Sequence, residues 1–155
     1  MKIKLLTVGE ISDPCCRQLA DKYGQRIDHY FPFERTAVRA EKLASLPPQE
    51  ALLREARRIA NQMQEADHSV VLDRRGKMLD SPGLAEWLNR SALRSIKTLL
   101  VIIGGPYGVH ENLQQAADER LSLSSMTMGH ELAAVLFLEQ LYRACTILRG
   151  EKYHK

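Results

Sequence analysis

An apolar run that ends abruptly at glycine restricts the fold of this chain more than any other feature. Residues 99–103 (LLVII) stop at Gly104-Gly105-Pro106. A short run rich in β-branched residues and ended by turn residues is typical of a strand buried on both faces. Such strands belong to parallel sheets covered by helices, and glycines at their ends let a ligand approach the main chain, although a plain tight turn explains them equally well.

A second apolar segment and the longest helical pattern of the chain follow. The segment LSLSSMTM (residues 121–128) ends at Gly129-His130, and the helical pattern extends from Glu131 to Leu148. Gly150 stands where a helix C-terminus favours a residue with positive φ. Two glycine- and serine-rich strand ends beside one long helix predict a ligand pocket at the edge of a sheet.

The preceding residues alternate strand and helix patterns, which is the order of an α/β domain. No linker or repeat divides the sequence, so we expect one domain over residues 1–155, an open and mostly parallel sheet with helices on both faces. Strands are predicted at 2–8, 33–39 (near a sheet edge) and 69–72, and helices at 14–30, 47–66, 81–94 and from about Glu111.

Composition adds weaker limits. A net charge of +3, from 22 basic and 19 acidic residues, permits nucleic-acid binding without requiring it. The five histidines and three cysteines have no metal-ligand spacing, so we expect no metal. The chain has neither a signal peptide pattern nor an apolar stretch of membrane-spanning length, which favours a cytoplasmic protein with no membrane partner.

Ligands of such sheets bind beyond the carboxyl ends of the strands, here the loops after Leu72, Ile103 and Leu123. Neither a G-x-G-x-x-G fingerprint nor a Walker lysine is present. We therefore expect the ligand to be held by backbone groups and apolar walls. His130, at a helix start, has either a capping or polar-contact role, or a ligand role.

The last helix carries two further predictions. Residues 132–138 (LAAVLFL) are apolar on every side, which favours cover by a second subunit. Glu139 and Arg143 have the spacing of a helical ion pair. After Gly150 the tail is short and polar, and we expect it to be unordered by its own contacts.

Four ordered segments resemble a known family: LDRRGKMLDSPGLA, VIIGGPYG, LSLSSMTMGHEL and LEQLYRACTILRGEKYHK. They resemble the bacterial large-subunit ribosomal RNA methyltransferase H family of the SPOUT superfamily, which methylates the 3-nitrogen of pseudouridine. The resemblance covers essentially the whole chain. It implies a homodimer, a C-terminal trefoil knot, S-adenosylmethionine as cofactor, and large-subunit ribosomal RNA, in an assembled ribosome, as substrate.

Carried over residue by residue, the resemblance assigns cofactor binding to the same three strand ends. The implied residues are Leu72, Gly104, Gly105, Leu123, Ser124, Ser125, Met126, Thr127 and Met128. Two positions depart from the family pattern, which usually has proline at 129 and arginine at 134. Gly129 removes a restraint on the loop before His130, and Ala134 removes a cation from the last helix.

Four residues are catalytic candidates: His154, Tyr153, His130 and Arg143. The imide proton of the base must leave, and His154, His130 or solvent can accept it. Tyr153 can stack on an exposed base, as RNA-binding aromatic residues do. Several basic residues are candidate phosphate contacts or ordinary surface charges: Arg74, Arg75, Lys77, Arg143, Arg149, Lys152 and Lys155.

Two alternatives to a methyltransferase stay open at this point. One is a module that binds S-adenosylmethionine and RNA without turnover, and the other is a phosphate-binding enzyme unrelated to methylation. Cofactor binding distinguishes the first from the second, and methyl incorporation into RNA distinguishes the enzyme from the module.

Overall fold

A computed structural model describes residues 1–42 and 46–154, and its elements follow the predicted alternation closely. The strands are β1 (Lys2–Val8), β2 (Phe33–Val38), β3 (His68–Met78), β4 (Thr98–Ile103) and β5 (Glu119–Ser122). The helices are α1 (Pro14–Asp28), α2 (Pro48–Gln64), α3 (Ser81–Leu93), α4 (Glu111–Ala116) and α5 (His130–Leu148).

The strands form one parallel sheet in the order β2-β1-β4-β3-β5. The predicted edge position of β2 is confirmed. The apolar run that ends at Gly104 is the central strand β4, in which residues 99–103 are buried. Because all strands point the same way, the loops after β3, β4 and β5 meet at one edge of the sheet.

Two apolar clusters, one on each face, explain why the central strands are continuously apolar. On one face, Leu5, Leu99 and Val101 pack with the residues of α1, α3 and α5. On the other, Leu100 and Ile102 pack with residues of α2 and α4. Alternate residues of β4 therefore pack against helices on opposite faces of the sheet, and the prediction of helices on both faces is confirmed.

Strand β3 is longer than the predicted 69–72, because its pairing with β5 resumes after an interruption. Leu72 and Lys77 both lie opposite Leu121 of β5, so residues 73–76 are looped out of the ladder. A side chain at Gly76 would lie 2.6 Å from the Leu121 carbonyl carbon. Glycine is required there because the β5 main chain runs directly against the loop.

Residues 132–138 do not need a second subunit to cover them, contrary to the expectation from the sequence. Helix α5 packs between α1 and α3, and five of the seven residues are buried within the one chain. Leu132, with an exposed fraction of 57%, and the partly buried Leu136 remain on the outer face. Among the described residues, none of the helices combines the length and apolarity needed to cross a bilayer.

Candidate functional site

A cavity of about 660 Å³ lies at the carboxyl ends of β3, β4 and β5, where the three predicted loops meet the first turn of α5. Its walls are apolar side chains and exposed main chain. Ser125 is exposed and does not line it. The other eight predicted cofactor residues do: Leu72, Gly104, Gly105, Leu123, Ser124, Met126, Thr127 and Met128.

The turn after β4 needs glycine for its own geometry. A side-chain carbon at Gly104 would lie 2.4 Å from both the carbonyl carbon and oxygen of Gly108, closer than any real contact. Gly108 has a φ of +80° and donates its N–H to the Gly105 carbonyl oxygen at 2.8 Å. The glycines thus close a tight turn that forms one wall of the cavity, a role that the sequence pattern left undecided.

The loop after β3 carries a network that the sequence did not indicate. The Asp73 carboxylate accepts hydrogen bonds from the Arg75 main-chain N–H and from its Nε, at 2.9 and 3.1 Å. Arg75 Nη2 also donates to Oε1 of Gln114 at 2.9 Å. Burial alone would raise the pKa of Asp73, but the bonds and charge of Arg75 lower it, so the carboxylate stays ionised.

Gln114 was missed because a glutamine inside a short helix gives no signal in a sequence. All three residues of this network line the cavity.

His130 lines the cavity, and the predicted capping role is wrong. Helix α5 begins after Gly129, which has no side chain to cap it, and His130 is its first residue. A side-chain carbon at Gly9, at the end of β1, would lie 3.8 Å from His130 Nε2. Helix α3, in contrast, has a side-chain cap, because Asp80 accepts the Gly83 N–H at 2.8 Å.

The C-terminal tail is not loose, contrary to prediction, because it packs on α5. The Tyr153 hydroxyl donates to Glu139 Oε1 at 3.1 Å, and its ring lies edge-on to that of Tyr142 at 4.8 Å. The predicted pair of Arg143 and Glu139 is confirmed at 2.6 Å, and the Arg143 guanidinium lies over the Tyr153 ring. Burial and the bond to Glu139 raise the pKa of Tyr153, so it stays a neutral phenol.

The tail and the cavity lie at opposite ends of α5. Thirteen residues separate His130 from Arg143, which corresponds to about 20 Å along a helix. Arg143 and Tyr153 do not line the chain's own cavity, and neither does His154, which is exposed. The structure therefore brings His130, but not the other three catalytic candidates, to the predicted cofactor residues.

The candidate phosphate contacts divide in the same way. Arg74 and Arg75 line the cavity, and Lys77 lines a smaller neighbouring cavity that shares Leu72 and Leu123 with it. Arg143 is paired, Arg149 and Lys152 are exposed near the tail, and Lys155 lies outside the described residues.

Across the described ranges, a single group of possible metal ligands is found: Asp13, Cys16 and Glu131. Asp13 accepts the Cys16 N–H at 2.8 Å, and Glu131 accepts three hydrogen bonds from Ser12 and Asp13. Both carboxylates accept hydrogen bonds from main-chain N–H groups at the start of α1, which accounts for their proximity without an ion.

The two departures from the family pattern have different settings. A side-chain carbon at Gly129 would meet no atom within 4 Å, and its φ of −60° is one that proline adopts. Ala134 is fully buried in the core of the α1–α3–α5 face, so the position is inside the packing of one chain and not on the cavity wall.

Comparison with known proteins gives one family. Residues 1–154 match the family model described as predicted SPOUT methyltransferase. The chain is 38% identical over 154 residues to the ribosomal RNA large subunit methyltransferase H of Syntrophotalea carbinolica, and 36% identical over 155 residues to that of Porphyromonas gingivalis. Both alignments cover 99% of each chain.

Solved structures support the same fold. The tRNA (m1G37) methyltransferase of Aquifex aeolicus superposes with a TM-score of 0.56 at 16% identity, over 100% of this chain and 73% of that one. A Legionella pneumophila structure with the bound cofactor SAM superposes with a TM-score of 0.50 at 13% identity, over 91% of this chain and 65% of that one.

Proposed function

This chain belongs to the SPOUT methyltransferases, and we propose that it methylates the 3-nitrogen of a pseudouridine in large-subunit ribosomal RNA, with S-adenosylmethionine as the methyl donor. The relatives that it matches over nearly their whole length carry the name of a large-subunit ribosomal RNA methyltransferase. The observation that carries the proposal is the convergence of the loops after β3, β4 and β5 on one cavity. Such a substrate also implies a cytoplasmic location.

The cavity fits S-adenosylmethionine, which supplies an electrophilic methyl group on a sulfonium sulfur. About 660 Å³ is ample for a nucleoside with an amino-acid arm, within the usual range of ligand sites. Leu72, Leu123 and Met128 offer apolar surface for a flat ring. The main chain of the turn after β4 and of residues 123–128 offers N–H and carbonyl groups that recognise polar ring edges.

The residues contribute mainly by position. The target nitrogen is a weak nucleophile until its proton leaves, and alignment of reactants in a water-poor cavity accounts for most of the acceleration in such transfers. His130 is the one predicted proton acceptor that lines this chain's cavity. Tyr153, which stays protonated, can stack on a base or donate a hydrogen bond but cannot act as a base near neutral pH.

We infer that the enzyme acts as a homodimer in which each tail serves the other chain's cavity. Tyr153 is fixed to α5 by Glu139 and Tyr142, which lie about 14 and 18 Å along the helix from His130, and His154 follows it directly. A role for His154 at the base therefore requires a second chain. Leu132 and Leu136, the apolar residues on the outer face of α5, offer it a contact surface.

We also infer one methyltransferase domain over residues 1–155 with a trefoil knot in its C-terminal half. Residues 123–129 leave the edge strand β5, and α5 then packs between α1 and α3. The segment after β3 lies against β5 on this path, since Gly76 directly faces the Leu121 main chain. A knot of this kind is rare among folds.

Transfer of a labelled methyl group tests the function. Purified protein is incubated with labelled S-adenosylmethionine and ribosomes from cells that lack this enzyme, and calorimetry measures cofactor binding on the same preparation. Label in the large-subunit RNA supports the proposal. Cofactor binding without label indicates the non-catalytic module, and absence of both indicates an unrelated ligand.

A further inference from the structure

The four residues looped out of β3 form a cationic part of the cavity rim. Residues 73–76 leave the ladder at Leu72 and rejoin it at Lys77, opposite the same residue of β5. Arg74 and Arg75 both lie on this part of the rim and line the cavity. An insertion of this size next to a ligand site is characteristic of a segment shaped to place a side chain.

Arg75 is held from two sides, although its side chain is 61% exposed. Asp73 binds its Nε, and Gln114 of α4 binds its Nη2. Gln114 is only 6% exposed, and its own Nε2 donates to the Val109 carbonyl oxygen at 2.6 Å. Because that bond fixes the amide, Gln114 Oε1 must point towards the arginine.

These bonds leave part of the guanidinium free. Arg75 Nη1 has no hydrogen-bond partner within the described ranges, and Nη2 keeps one N–H beyond its bond to Gln114. An exposed arginine ordinarily samples many rotamers, and fixing one of them is unfavourable unless the fixed group has a partner. A buried glutamine that orients a surface arginine points to recognition of an anion.

We propose that Arg75 is a preorganised receptor for an RNA phosphate at the mouth of the cavity, and that Asp73 and Gln114 are its positioning residues. The inference rests on the proposed function, since it assumes that an RNA strand crosses this mouth. Gln114 also joins the loop after β3 to the turn after β4, which ends at Val109. The RNA-binding group is thereby fixed to the same wall that holds the cofactor.

The exposure of Arg75 favours a phosphate over the carboxylate of the cofactor. The cofactor residues assigned by the family resemblance lie in the main-chain loops of the floor, whereas Arg75 stands at the rim with most of its side chain in solvent. A planar guanidinium with two adjacent free N–H groups matches the oxygens of a phosphate diester.

A double-mutant cycle tests the proposal with Arg75→Gln, Gln114→Met and the combined variant. Methyl transfer to ribosomes gives KM and kcat, and calorimetry gives cofactor affinity. Each single variant is expected to raise KM about tenfold with kcat and cofactor affinity unchanged, the scale of one lost charge-assisted contact. The combined variant is expected to match Arg75→Gln alone, because Gln114 acts through Arg75.

Three controls separate positioning from folding. Gln115→Met changes the exposed neighbour on the same helix and is expected to leave KM unchanged. Gln114→Glu keeps an acceptor for Arg75 but loses the donor to the Val109 carbonyl oxygen, so it is expected to give a KM between those of Gln114→Met and the wild type. Direct binding of a ribosomal RNA fragment by fluorescence anisotropy, as a function of salt, is expected to lose about one unit of slope in Arg75→Gln.

Each other result contradicts a defined part of the proposal. Additive KM effects show that Gln114 acts independently of Arg75, and weaker cofactor binding in Arg75→Gln shows that the anion is the cofactor carboxylate. If the wild-type protein methylates ribosomal RNA and Arg75→Gln has the same KM, this inference alone is overturned. A wild-type protein that binds RNA through Arg75 but transfers no methyl group overturns the proposed function alone.

Discussion

The Glu131 carboxylate accepts hydrogen bonds from the main-chain N–H and the hydroxyl of Ser12, at 2.8 and 2.7 Å, although 119 residues separate the two. A third bond comes from the Asp13 N–H at 3.0 Å. Asp13 caps α1, and Glu131 stands in the first turn of α5. One carboxylate thus joins the starts of two helices, directly after the cavity-lining His130.

Glu131→Gln is expected to lower the free energy of unfolding at neutral pH by about 1.5 to 3 kcal/mol, the range for hydrogen bonds to a charged group. The bonds from Ser12 lower the pKa of Glu131 below its ordinary value of 4.5, with burial opposing them. A carboxyl with a depressed folded pKa stabilises above its unfolded pKa and loses that contribution as pH falls through the folded value.

Denaturant unfolding between pH 3 and pH 8 measures this difference. The gap between wild type and Glu131→Gln is expected to be constant above about pH 5 and to close below the ordinary value of 4.5. Glu10→Gln changes an exposed carboxyl and serves as control. A gap that persists undiminished at pH 3 would contradict the role given to the ionised Glu131.

Gly104→Ala is expected to weaken cofactor binding at least about tenfold and to lower the melting temperature, because the new carbon would overlap the Gly108 main chain. Gly129→Ala is the matched control, since its carbon enters open space. Calorimetry and thermal unfolding measure the two effects. Wild-type values in Gly104→Ala would show that the turn adapts without cost.

Gly129→Pro is expected to stabilise the protein by about 0.4 to 1 kcal/mol, because the native φ of −60° already suits proline and the unfolded chain loses freedom. The same change restrains the loop of residues 123–129, so cofactor affinity is expected to rise. Thermal unfolding and calorimetry test both points. A destabilised Gly129→Pro would mean that the loop needs conformations that proline forbids.

His154→Ala is expected to lower methyl transfer about a hundredfold with cofactor affinity unchanged, the scale of one lost acid–base or positioning group. Deletion of 152–155 is expected to lower the melting temperature as well, because it removes the Tyr153 contacts with Glu139 and Tyr142. Lys152→Ala, which changes an exposed residue of the same tail, is the control. Full activity in His154→Ala would remove this residue from the site.

Mixed dimers test the exchange of tails between chains. A chain with His154→Ala and a chain with Gly104→Ala are coexpressed with different affinity tags and purified together. If each tail acts on the partner's cavity, the intact His154 of the Gly104→Ala chain serves the intact cavity of the His154→Ala chain. Each mixed dimer then has one complete site. Such dimers are expected to recover about half of the wild-type activity, whereas tails that act on their own chain would give none.

The strands, the helices and the cavity were predictable because they depend on local pattern. The run from Leu99 to Ile103 is apolar on both faces wherever it lies, and parallel strands bring their carboxyl ends together. The loop of 73–76 was not predictable, because it arises when Lys77 pairs with Leu121, which lies 44 residues later. Its pairing leaves no periodic signal in the loop itself.

The wrong inference about residues 132–138 has a similar cause. An all-round apolar helix must be covered, but only the tertiary arrangement shows that α1 and α3 provide the cover. The tail was mispredicted because the partners of Tyr153 are not in the tail itself but on α5, at Glu139 and Tyr142. Contacts distant in sequence decide both cases.

The proposed activity is tested most directly by identifying the methylated nucleoside in ribosomes treated with the purified protein. Large-subunit RNA from treated and untreated ribosomes is digested and mapped by mass spectrometry. We expect one added methyl group, on the 3-nitrogen of a pseudouridine, that depends on S-adenosylmethionine and is lost in Gly104→Ala. A methyl group on any other nucleoside, or none in the presence of bound cofactor, would contradict it.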